Sequence, residues 1–292
     1  MVLSIVIVNW NTRDYLRRCL ASIEANRTRF DYEVIVVDNA SPDGSADMVR
    51  DEFPEVRLVA NDENLGYAAG NNQGIEIAGG RYLLLLNPDI EVKPGALDAL
   101  VEFADGHPDA AAVGCRLIGE DGQVQRSLRS FPEPWGVLCE YLKLSKLFPR
   151  SRRFASYRMT WFDYDREMEV DQPMGSCLLI SRKAVDEIGM FAKEFPIFFN
   201  EVDWLYRAKQ KGWRVHFTPS AEVLHAGGAS TCQRKPEMVR ESHRSMKLFY
   251  EKHYRGRIAA PVYWFIIAAI SINSVLASWQ ASLRSKGRTC GT

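Results

Sequence analysis

The stretch LLLLNPDIEV, Leu83 to Val92, runs a block of four leucines directly into Asn-Pro-Asp. Four leucines in succession are typical of a short strand that is buried on both faces, as in a parallel sheet. Proline has no backbone N–H with which to continue a central ladder, so we expect the strand to end near Asn87. Asp89 is then predicted to lie at the carboxyl edge of a sheet, where open α/β folds bind their ligands.

The apolar segments around this stretch alternate between the periods of strands and of helices. Residues 3–8, 33–37 and 110–118 have the length and composition of strands, whereas residues 16–23 and 97–104 repeat apolar side chains at helical spacing. This alternation predicts an α/β fold with a central, mostly parallel sheet flanked by helices. Residues 126–170 lack a clear period and carry many arginines and aromatics, which predicts a long and partly mobile excursion.

The overall composition excludes several classes of protein. Apolar residues make up 46% of the 292 positions, which excludes a disordered or fibrous chain. The 37 basic residues balance 37 acidic ones, so the net charge is zero and no nucleic-acid partner is expected. The six cysteines are scattered without a CxxC pair, and Met1 leads into a strand-like segment without the basic region of a signal peptide. Both observations favour reduced thiols and a cytoplasmic location.

The C-terminal segment differs from the rest of the chain. Residues 258–283 carry no charge, and arginines at 255, 257 and 284 bracket them. About 20 apolar residues suffice to cross a bilayer, but Pro261 and several serines dilute this segment. An amphipathic basic helix is also predicted at 237–254. Residues 236–292 are therefore expected to form a helical tail, and contact with a membrane surface is favoured over packing against the protein alone.

Polar or small residues follow two further predicted strands of the first half. Asp38 and Asn39 begin the segment DNASPDGS, where side chains that accept and donate in a fixed plane can bind a base or a ribose. The same residue types form ordinary capped turns, and composition alone favours the turn. In NLGYAAGNNQG, Gly66, Gly70 and Gly74 lie on one stripe of a predicted helix, which allows close approach to a sheet or to a ligand. The chain has no GxGxxG fingerprint, which argues against a dehydrogenase.

Three acids and one histidine are the candidates for catalysis and for metal binding. Asp89 can hold a divalent cation that bridges substrate phosphates, or it can cap the helix predicted to follow it. Glu201 and Asp203 are two residues apart, so on one helix only one of them is expected to face a cleft. Asp203 can pair with Arg207, which leaves Glu201 as the free carboxylate; the alternative is two solvated acids at a helix N-terminus. His225 precedes two glycines and can approach a phosphate or a metal, although a lone histidine is more often structural.

The order of these segments resembles that of the family 2 glycosyltransferases, which are inverting enzymes of the GT-A fold. The matching segments are the first strand with its terminal Asn9, VVDNASPDGS, NLGYAAGNNQG, LLLNPD, PMGSCLLISRKAVDEIGMF, FFNEVDW with Arg207, and HAGGAS. They occur in the family's order over roughly residues 1–230, which makes the resemblance specific. Within the family the pattern is most similar to bacterial rhamnosyltransferases that use dTDP-L-rhamnose.

The resemblance implies a role for each matching position. NPD occupies the place of the family's DxD motif, so Asp89 would ligate Mg²⁺ or Mn²⁺, with His225 as a further metal or diphosphate contact. Asn87 stands where many relatives have Asp, which removes one negative charge from the site. Glu201 matches the catalytic base, and Asp203 is the alternative. The implied donor site consists of Asn9, Asp38, Asn39, Asn64, Gly66, Asn87 and Asp89. The implied acceptor site consists of Gly175, Ser176 and Trp204.

The resemblance also implies the domain organisation and the function. Residues 1–235 would form the GT-A domain, with 1–118 binding the nucleotide sugar and 119–235 carrying the acceptor site and the base. The expected reaction moves a sugar, rhamnose from dTDP-L-rhamnose, to a saccharide acceptor on a lipid, in cell-surface polysaccharide synthesis at the inner face of the cell membrane. Two alternatives remain. A metal-dependent nucleotidyltransferase or phosphohydrolase could also use Asp89, a metal and a nucleotide pocket, whereas a non-catalytic saccharide-binding protein would not depend on Asp89 or Glu201.

Overall fold

The computed structural model of the protein describes residues 1–227 and 235–285 and is built on one large mixed sheet. Its strands are β1 Leu3–Asn9, β2 Tyr32–Asp38, β3 Arg57–Ala60, β4 Tyr82–Leu86, β5 Ile90–Val92, β6 Ala110–Ile118, β7 Leu128–Arg129, β8 Met168–Glu169, β9 Gln172–Pro173, β10 Cys177–Ser181 and β11 Arg214–His225. The order in the large sheet is β3-β2-β1-β4-β10-β6-β11-β5, with β8 beside β11. β7 and β9 form a second, two-stranded sheet.

Helices cover both faces of the large sheet. They are α1 Arg13–Ala25, α2 Ser45–Glu52, α3 Tyr67–Ile77, α4 Ala96–Gly106, α5 Pro134–Tyr141, α6 Leu144–Leu147, α7 Arg182–Ile188, α8 Asn200–Gln210, α9 Lys235–His253 and α10 Ala260–Ser285. The leucines of β4 divide between the two cores: Leu83 and Leu85 lie in one, and Leu84 and Leu86 lie in the other. The expectation that this strand is buried on both faces and ends before Asn87 is confirmed.

The sheet is parallel in one half and mixed in the other. β1 pairs in parallel with β2 and with β4, and β2 pairs in parallel with β3. β10 then runs antiparallel to both β4 and β6, while β11 is parallel to β6. The expected, mostly parallel sheet is therefore confirmed in strand direction, because β6 and β11 run the same way as β1 to β4. Strands β5, β8 and β10 run the opposite way, and the sequence did not predict that β10 is inserted antiparallel beside β4.

Helix α3 packs so closely against β1 that there is no room for a side chain at Gly70 or Gly74. A Cβ atom at Gly70 would lie 2.8 Å from Cγ1 of Val8, and one at Gly74 would overlap Cγ1 of Val6. The two glycines therefore serve the contact between the helix and the sheet, which is one of the two roles that the sequence left open.

The segment 126–170 is packed against the body of the protein, and the expectation of a partly mobile excursion is wrong in this respect. The backbone N–H of Leu128 donates to the hydroxyl of Tyr164 at 2.9 Å, and the Tyr164 ring meets Phe217 edge-on with centroids 5.4 Å apart. The hydroxyl of Tyr250 in α9 donates to the carbonyl of Pro132 at 2.6 Å. The segment packs through aromatic contacts with distant elements. Such contacts do not require regularly spaced apolar residues, so the sequence shows no periodic pattern here.

The last two helices pack on each other, and α10 also packs on α5. Tyr263, Ile266 and Ile270 of α10 are buried. Large apolar side chains on the rest of its surface are exposed, namely Val262, Trp264, Phe265, Ile272, Val275 and Leu276. Among the described residues, Ala260–Ser278 is the one stretch that is long and apolar enough to cross a membrane, with a mean hydropathy of 1.7. The uncharged tail is thus a helix with one packed side and a wide exposed apolar surface.

Four cysteines in the described part of the chain, Cys19, Cys115, Cys139 and Cys177, are buried free thiols, as expected. Cys232 and Cys290 lie outside the described residues. So do Gly228, Ala229 and Ser230 of the HAGGAS segment.

We expect Gly74→Ala to lower the free energy of unfolding by about 1–3 kcal/mol, because the added methyl group must push α3 away from β1. Urea denaturation followed by circular dichroism measures this loss. Gly106→Ala at the end of α4 is the matched control, since nothing lies within 4 Å of its Cβ position. Its unfolding free energy should stay within about 1 kcal/mol of the wild-type value. Equal destabilisation by both substitutions would contradict the packing role of Gly74.

Candidate active site

A cleft of about 590 Å³ lies at the carboxyl ends of β1 and β4. In open α/β sheets this edge binds ligands where the strand order reverses, and the order β3-β2-β1-β4 reverses between β1 and β4. Most residues that the sequence singled out line this cleft: Asn9, Asn39, Asn64, Gly66, Asn87, Asp89, Gly175, Ser176, Glu201 and His225. The exceptions are Asp38, Asp203 and Trp204.

Asp38 lies behind the cleft and positions Asn9. The two residues are direct neighbours across β1 and β2, and Nδ2 of Asn9 donates to Oδ2 of Asp38 at 2.8 Å. Thr12 donates to the other side of the same amide, with 2.6 Å between its Oγ1 and Oδ1 of Asn9. Asp38 is only 2% exposed. The structure therefore corrects its expected role, since Asp38 supports the cleft wall at Asn9 and does not line the cleft itself.

Another part of the cleft wall is a chain of amide groups joined by hydrogen bonds. Nδ2 of Asn39 donates to the carbonyl of Gly66 at 3.2 Å, and Nδ2 of Asn61 donates to Oδ1 of Asn39 at 2.9 Å. The N–H of Gly66 in turn donates to Oδ1 of Asn64 at 2.9 Å. These bonds fix the direction of each amide before a ligand arrives, which reduces the entropy lost on binding.

Asp89 and His225 are brought together by strand pairing. β5 runs antiparallel to β11 with Ile90 opposite His225, and the N–H of Ala226 donates to the carbonyl of Asp89 at 3.1 Å. Nε2 of His225 lies 3.6 Å from Oδ1 of Asp89. Both side chains are less than a tenth exposed. Asp89, which follows the buried strand β4, thus lies beside a histidine that a much later strand, β11, contributes.

The hydrogen bonds of Gln125 determine which nitrogen of His225 carries the proton. Nε2 of Gln125 donates to the backbone carbonyl of His225 at 2.8 Å, so its Oε1 accepts from Nδ1 of the ring at 2.7 Å. Nδ1 therefore carries hydrogen, and the neutral ring presents the lone pair of Nε2 toward Asp89. Burial lowers the pKa of His225, which favours this neutral form. A hydrogen bond of this kind, made by the ring nitrogen away from the cation, is what orients a histidine that ligates a metal.

The acid and the histidine fit a divalent cation as part of a ligand set. Within residues 1–227 and 235–285, no group of three His, Cys, Asp or Glu side chains could hold a metal ion by itself. One carboxylate and one imidazole nitrogen supply two ligands, and the remaining ligands must come from substrate phosphates and water. This donor set suits a cation that binds together with a phosphorylated substrate.

Glu201 lies on the opposite side of the cleft, in the first turn of α8. A Cβ atom at Gly175 would lie 3.3 Å from its Cγ, so the glycine lets the carboxylate stand against the β9–β10 turn. The hydroxyl of Tyr67 donates to the carbonyl of Gly175 at 3.1 Å and holds this turn. Burial raises the pKa of Glu201 to about 7, against the backbone N–H groups of Glu201 and Val202, which lower it. A carboxylate with this pKa is suited to act as a general base near neutral pH.

Asp203 faces away from the cleft, and the alternative assignment of the base to Asp203 is corrected. Its side chain is fully buried. Arg207 donates to Oδ2 at 2.9 Å, while Nε2 of His253 and Nζ of Lys252 lie 2.7 and 3.0 Å from Oδ1. Burial alone would raise the pKa of Asp203, but these partners outweigh it and hold the pKa below its ordinary value. The residue is therefore a structural anion that ties the end of α9 to α8.

Trp204 is fully buried among the core side chains, and its Nε1 donates to the carbonyl of Gly189 at 2.8 Å. It does not reach the cleft, so the expected acceptor contact is corrected as well. Neighbouring positions of one helix point in different directions, and the sequence alone did not indicate that this one faces the core.

Several cleft residues were missed by the sequence analysis. Trp10 follows Asn9 and Tyr67 follows Gly66, so their position next to chosen residues could have indicated them. Arg129 and Gln172 come from the second sheet, and Tyr157 comes from the segment between its two strands. Their region has no period, and nothing in the local sequence distinguishes them from the other arginines and aromatics nearby.

The two sides of the cleft are chemically complementary. One side has amides and an Asp–His pair suited to an anionic, phosphorylated ligand, and the other has the Glu201 carboxylate, whose pKa lies near neutrality. This is what transfer of a group from an activated donor to a hydroxyl requires. The fold and the site together define an α/β sugar transferase of the GT-A class.

Solved glycosyltransferases share this fold. The mannosyltransferase PcManGT from Pyrobaculum calidifontis, in complex with GDP-Man and Mn²⁺, matches with a TM-score of 0.61 at 16% identity, over 99% of this chain and 76% of that one. TarS from S. aureus matches with a TM-score of 0.56 at 15% identity, over 92% of this chain and 70% of that one. At these identities the likeness concerns the fold alone.

Sequence comparison identifies the family. Residues 4–166 match the profile of Glycosyl transferase family 2. The N-acetylglucosaminyl-diphospho-decaprenol L-rhamnosyltransferase of Mycobacterium tuberculosis (strain H37Rv) is 30% identical over 300 aligned positions, which cover 98% of this chain and 96% of that protein. This chain therefore belongs to glycosyl transferase family 2 and is a glycosyltransferase. The resemblance noted in the sequence is confirmed, and neither alternative class is favoured.

We expect Glu201→Gln to lower kcat/KM by about 10²- to 10⁴-fold, the usual contribution of a general base. In the wild type, kcat/KM should rise with pH up to about 7 and then level off, because only the ionised carboxylate accepts a proton. The rate of nucleoside diphosphate release, measured from pH 5 to 9, gives both the loss of kcat/KM in the variant and the pH profile of the wild type. The melting temperature of the variant at pH 8 should equal or exceed that of the wild type, because the amide removes a charge whose burial is unfavourable.

Asp203→Asn is the matched control on the same helix. It leaves Arg207 and Lys252 without their shared counter-charge, so the free energy of unfolding should fall by about 3–5 kcal/mol. Because the folded-state pKa of Asp203 is depressed, this stability is complete above the ordinary value of 3.8 and is lost as the pH falls below it. A larger loss of kcat in folded Asp203→Asn protein than in Glu201→Gln protein would overturn the assignment of the base.

Proposed function

We propose that this protein transfers L-rhamnose from dTDP-L-rhamnose, with inversion, to N-acetylglucosamine carried on a polyprenyl diphosphate. The observation that carries the proposal is the relationship to the M. tuberculosis rhamnosyltransferase, which extends over nearly the full length of both chains. Such a span includes the cleft, the base and the C-terminal helices, and therefore every part of the molecule that would contact donor or acceptor. The product would enter the synthesis of a cell-surface polysaccharide.

In this scheme Glu201 takes the proton of an acceptor hydroxyl as its oxygen attacks the anomeric carbon of the donor. The bond from that carbon to the diphosphate breaks on the opposite face, and nucleoside diphosphate leaves with the bonding electrons. Asn9, Asn39 and Gly66 would hold the nucleoside, because they form the pre-ordered amide wall. Gly175 would border the acceptor and keep the carboxylate of Glu201 in place.

Asp89 and the unprotonated Nε2 of His225 would hold Mg²⁺ or Mn²⁺ together with the donor diphosphate. When bound, the cation neutralises the negative charge that develops on the leaving group. Asn87, which replaces an acid of the family motif, lines the cleft two residues before Asp89. With one acid fewer, the diphosphate itself would supply a larger share of the ligands.

The acceptor's lipid places the reaction at a membrane, and α10 would be the element that meets it. Its exposed apolar side chains include two aromatics, Trp264 and Phe265, of the kind that lie at membrane interfaces. Arg255 and Arg257 precede the helix and complement anionic lipid head groups. We propose that α10 lies along the inner face of the cell membrane with its packed side toward the protein, because nucleotide sugars are supplied from the cytoplasm.

Purified protein is expected to convert dTDP-L-rhamnose and a lipid-linked diphospho-N-acetylglucosamine into a rhamnosylated product and dTDP, in the presence of Mn²⁺ or Mg²⁺. Chelation by EDTA, or Asp89→Asn, should lower the rate by about 100-fold, since each removes stabilisation of the leaving diphosphate. Mass spectrometry of the lipid product, with coupled detection of dTDP, measures the transfer. Asp163→Asn replaces an exposed carboxylate outside the cleft and serves as the control. Release of pyrophosphate or of free phosphate would contradict glycosyl transfer, and product formed only from another nucleotide sugar would contradict the donor assignment.

Replacing Trp264, Phe265 and Ile272 by Ser is expected to reduce binding to vesicles of phosphatidylglycerol and phosphatidylcholine at least about tenfold, because these side chains form the exposed apolar surface of α10. Co-sedimentation with the vesicles measures the binding. Ile77→Ser, which changes an exposed apolar residue of α3, is the control. If salt and carbonate fail to release the wild-type protein from membranes and only detergent extracts it, α10 spans the membrane. That result would contradict the surface arrangement.

A further inference from the structure

We infer that Arg129 is a binding residue for the diphosphate that links the acceptor sugar to its lipid. The inference rests on the proposed function, and it assigns a role to a side chain that neither the family motifs nor the scheme above uses. Arg129 lies in β7, directly opposite Gln172 of β9, and both side chains line the cleft.

The guanidinium of Arg129 is a cation without an acid beside it. Among the described residues, no carboxylate lies within the 4.0 Å of an ion pair with Arg129, whereas the neighbouring Arg158 is paired with Glu140 at 2.6 Å. Nη1 of Arg129 donates to the carbonyls of Arg126 and Leu128 at 2.9 and 2.7 Å, which holds the group in place. Nε and Nη2 have no partner within the described part of the chain. A fixed guanidinium with donors to spare is the group that binds a phosphate in a bidentate manner.

Two buried polar atoms of the same cleft also lack partners among the described residues, one of them on Gln172 opposite Arg129. Oε1 of Gln172 and Oγ of Ser176 are buried, line the same cleft, and form no hydrogen bond with the described residues. A buried polar group without a partner is unfavourable unless a ligand supplies one. Sugar hydroxyls can donate to Oε1 of Gln172 and can exchange hydrogen bonds with Oγ of Ser176. The wall therefore presents an anion site next to a polar site that suits a saccharide.

The position of this wall favours the acceptor diphosphate over the donor diphosphate. The donor diphosphate has its own site at Asp89 and His225, at the β4, β5 and β11 edge of the large sheet. Arg129 belongs to the second sheet, whose strand β9 leads into the turn that holds Gly175 against Glu201. A diphosphate bound at Arg129 would therefore lie on the sheet that leads to the turn beside Glu201, where the proposed acceptor is expected.

The route from this wall leads to the C-terminal helices. Tyr157 lines the main cleft and also a second cavity of about 180 Å³, whose other walls come from α5, α9 and Asn273 of α10. The cleft wall near Arg129 is thus separated by a single side chain from the helices that carry the exposed apolar surface. An acceptor whose sugar reaches Glu201 and whose lipid follows α10 would pass its diphosphate beside Arg129.

The inference is tested with two matched acceptors, hexyl diphospho-N-acetylglucosamine and neutral hexyl N-acetylglucosaminide. For Arg129→Gln we expect the KM for the diphosphate acceptor to rise about 10- to 100-fold, the value of lost hydrogen bonds to a charged group. The ratio of kcat/KM on the diphosphate acceptor to that on the neutral acceptor should fall by a similar factor. Arg129→Lys keeps the positive charge but not the two-pronged guanidinium, so the KM for the diphosphate acceptor should rise less than in Arg129→Gln. Arg126→Gln, three residues away and outside the cleft, is the control and should keep the wild-type ratio.

A binding measurement keeps the inference testable without turnover. With the donor pocket filled by saturating nucleoside diphosphate, hexyl diphosphate should bind the wild type and should bind Arg129→Gln about tenfold or more weakly, by calorimetry. Equal binding by both proteins would overturn the inference. So would a rise in the KM for the donor that matches or exceeds the rise for the acceptor, because Arg129 would then serve the donor diphosphate. Wild-type protein that binds hexyl diphosphate through Arg129 but glycosylates neither acceptor would contradict the proposed function and leave the anion site established.

Discussion

Parallel pairing of β1 with both β2 and β4 is the constraint on which the rest of the structure depends. It aligns the carboxyl ends of three buried strands, so that Asn9, Asp38 and the segment after Leu86 all emerge at one edge. The strands are apolar on both faces and cannot themselves contact a polar ligand. The polar residues that these strands contribute to the cleft therefore lie at this edge, and the glycines of α3 let the helix pack closely on β1.

The insertion of antiparallel β10 beside β4 completes the site. Cys177 lies opposite Leu86, so the turn before β10 meets the segment after β4, and the N–H of Asn87 donates to the carbonyl of Ser176. This contact joins the two halves of the chain across the cleft. The same arrangement separates two carboxylates of one helix. Glu201 is half-buried and forms no ion pair with the described residues, and desolvation raises its pKa. Asp203 is surrounded by cations, which lower its pKa. Environment, and not residue type, decides which of them can accept a proton.

Much of the fold could be predicted from the sequence, because its early strands are local features. The four-leucine strand and residues 110–118 were located within one residue of their bounds, and most of the candidate site residues chosen from the sequence line the cleft. The errors have a common physical cause. Trp204 was misassigned, and Arg129 and Tyr157 were missed, because their roles depend on which distant element packs against them. The antiparallel direction of β10 was missed for the same reason, since a period reports burial but not the direction in which a neighbouring strand runs.

The ion network at Asp203 has a geometric consequence. Lys252 and His253 stand at the end of α9, shortly before α10, and their bonds to Asp203 attach that end to the helix that carries Glu201. These bonds fasten the end of α9 to α8. In the proposed arrangement, with α10 on a membrane, they would tie the position of the Glu201 carboxylate to the membrane surface. The proposed base would then select an acceptor by how far its hydroxyl stands from that surface.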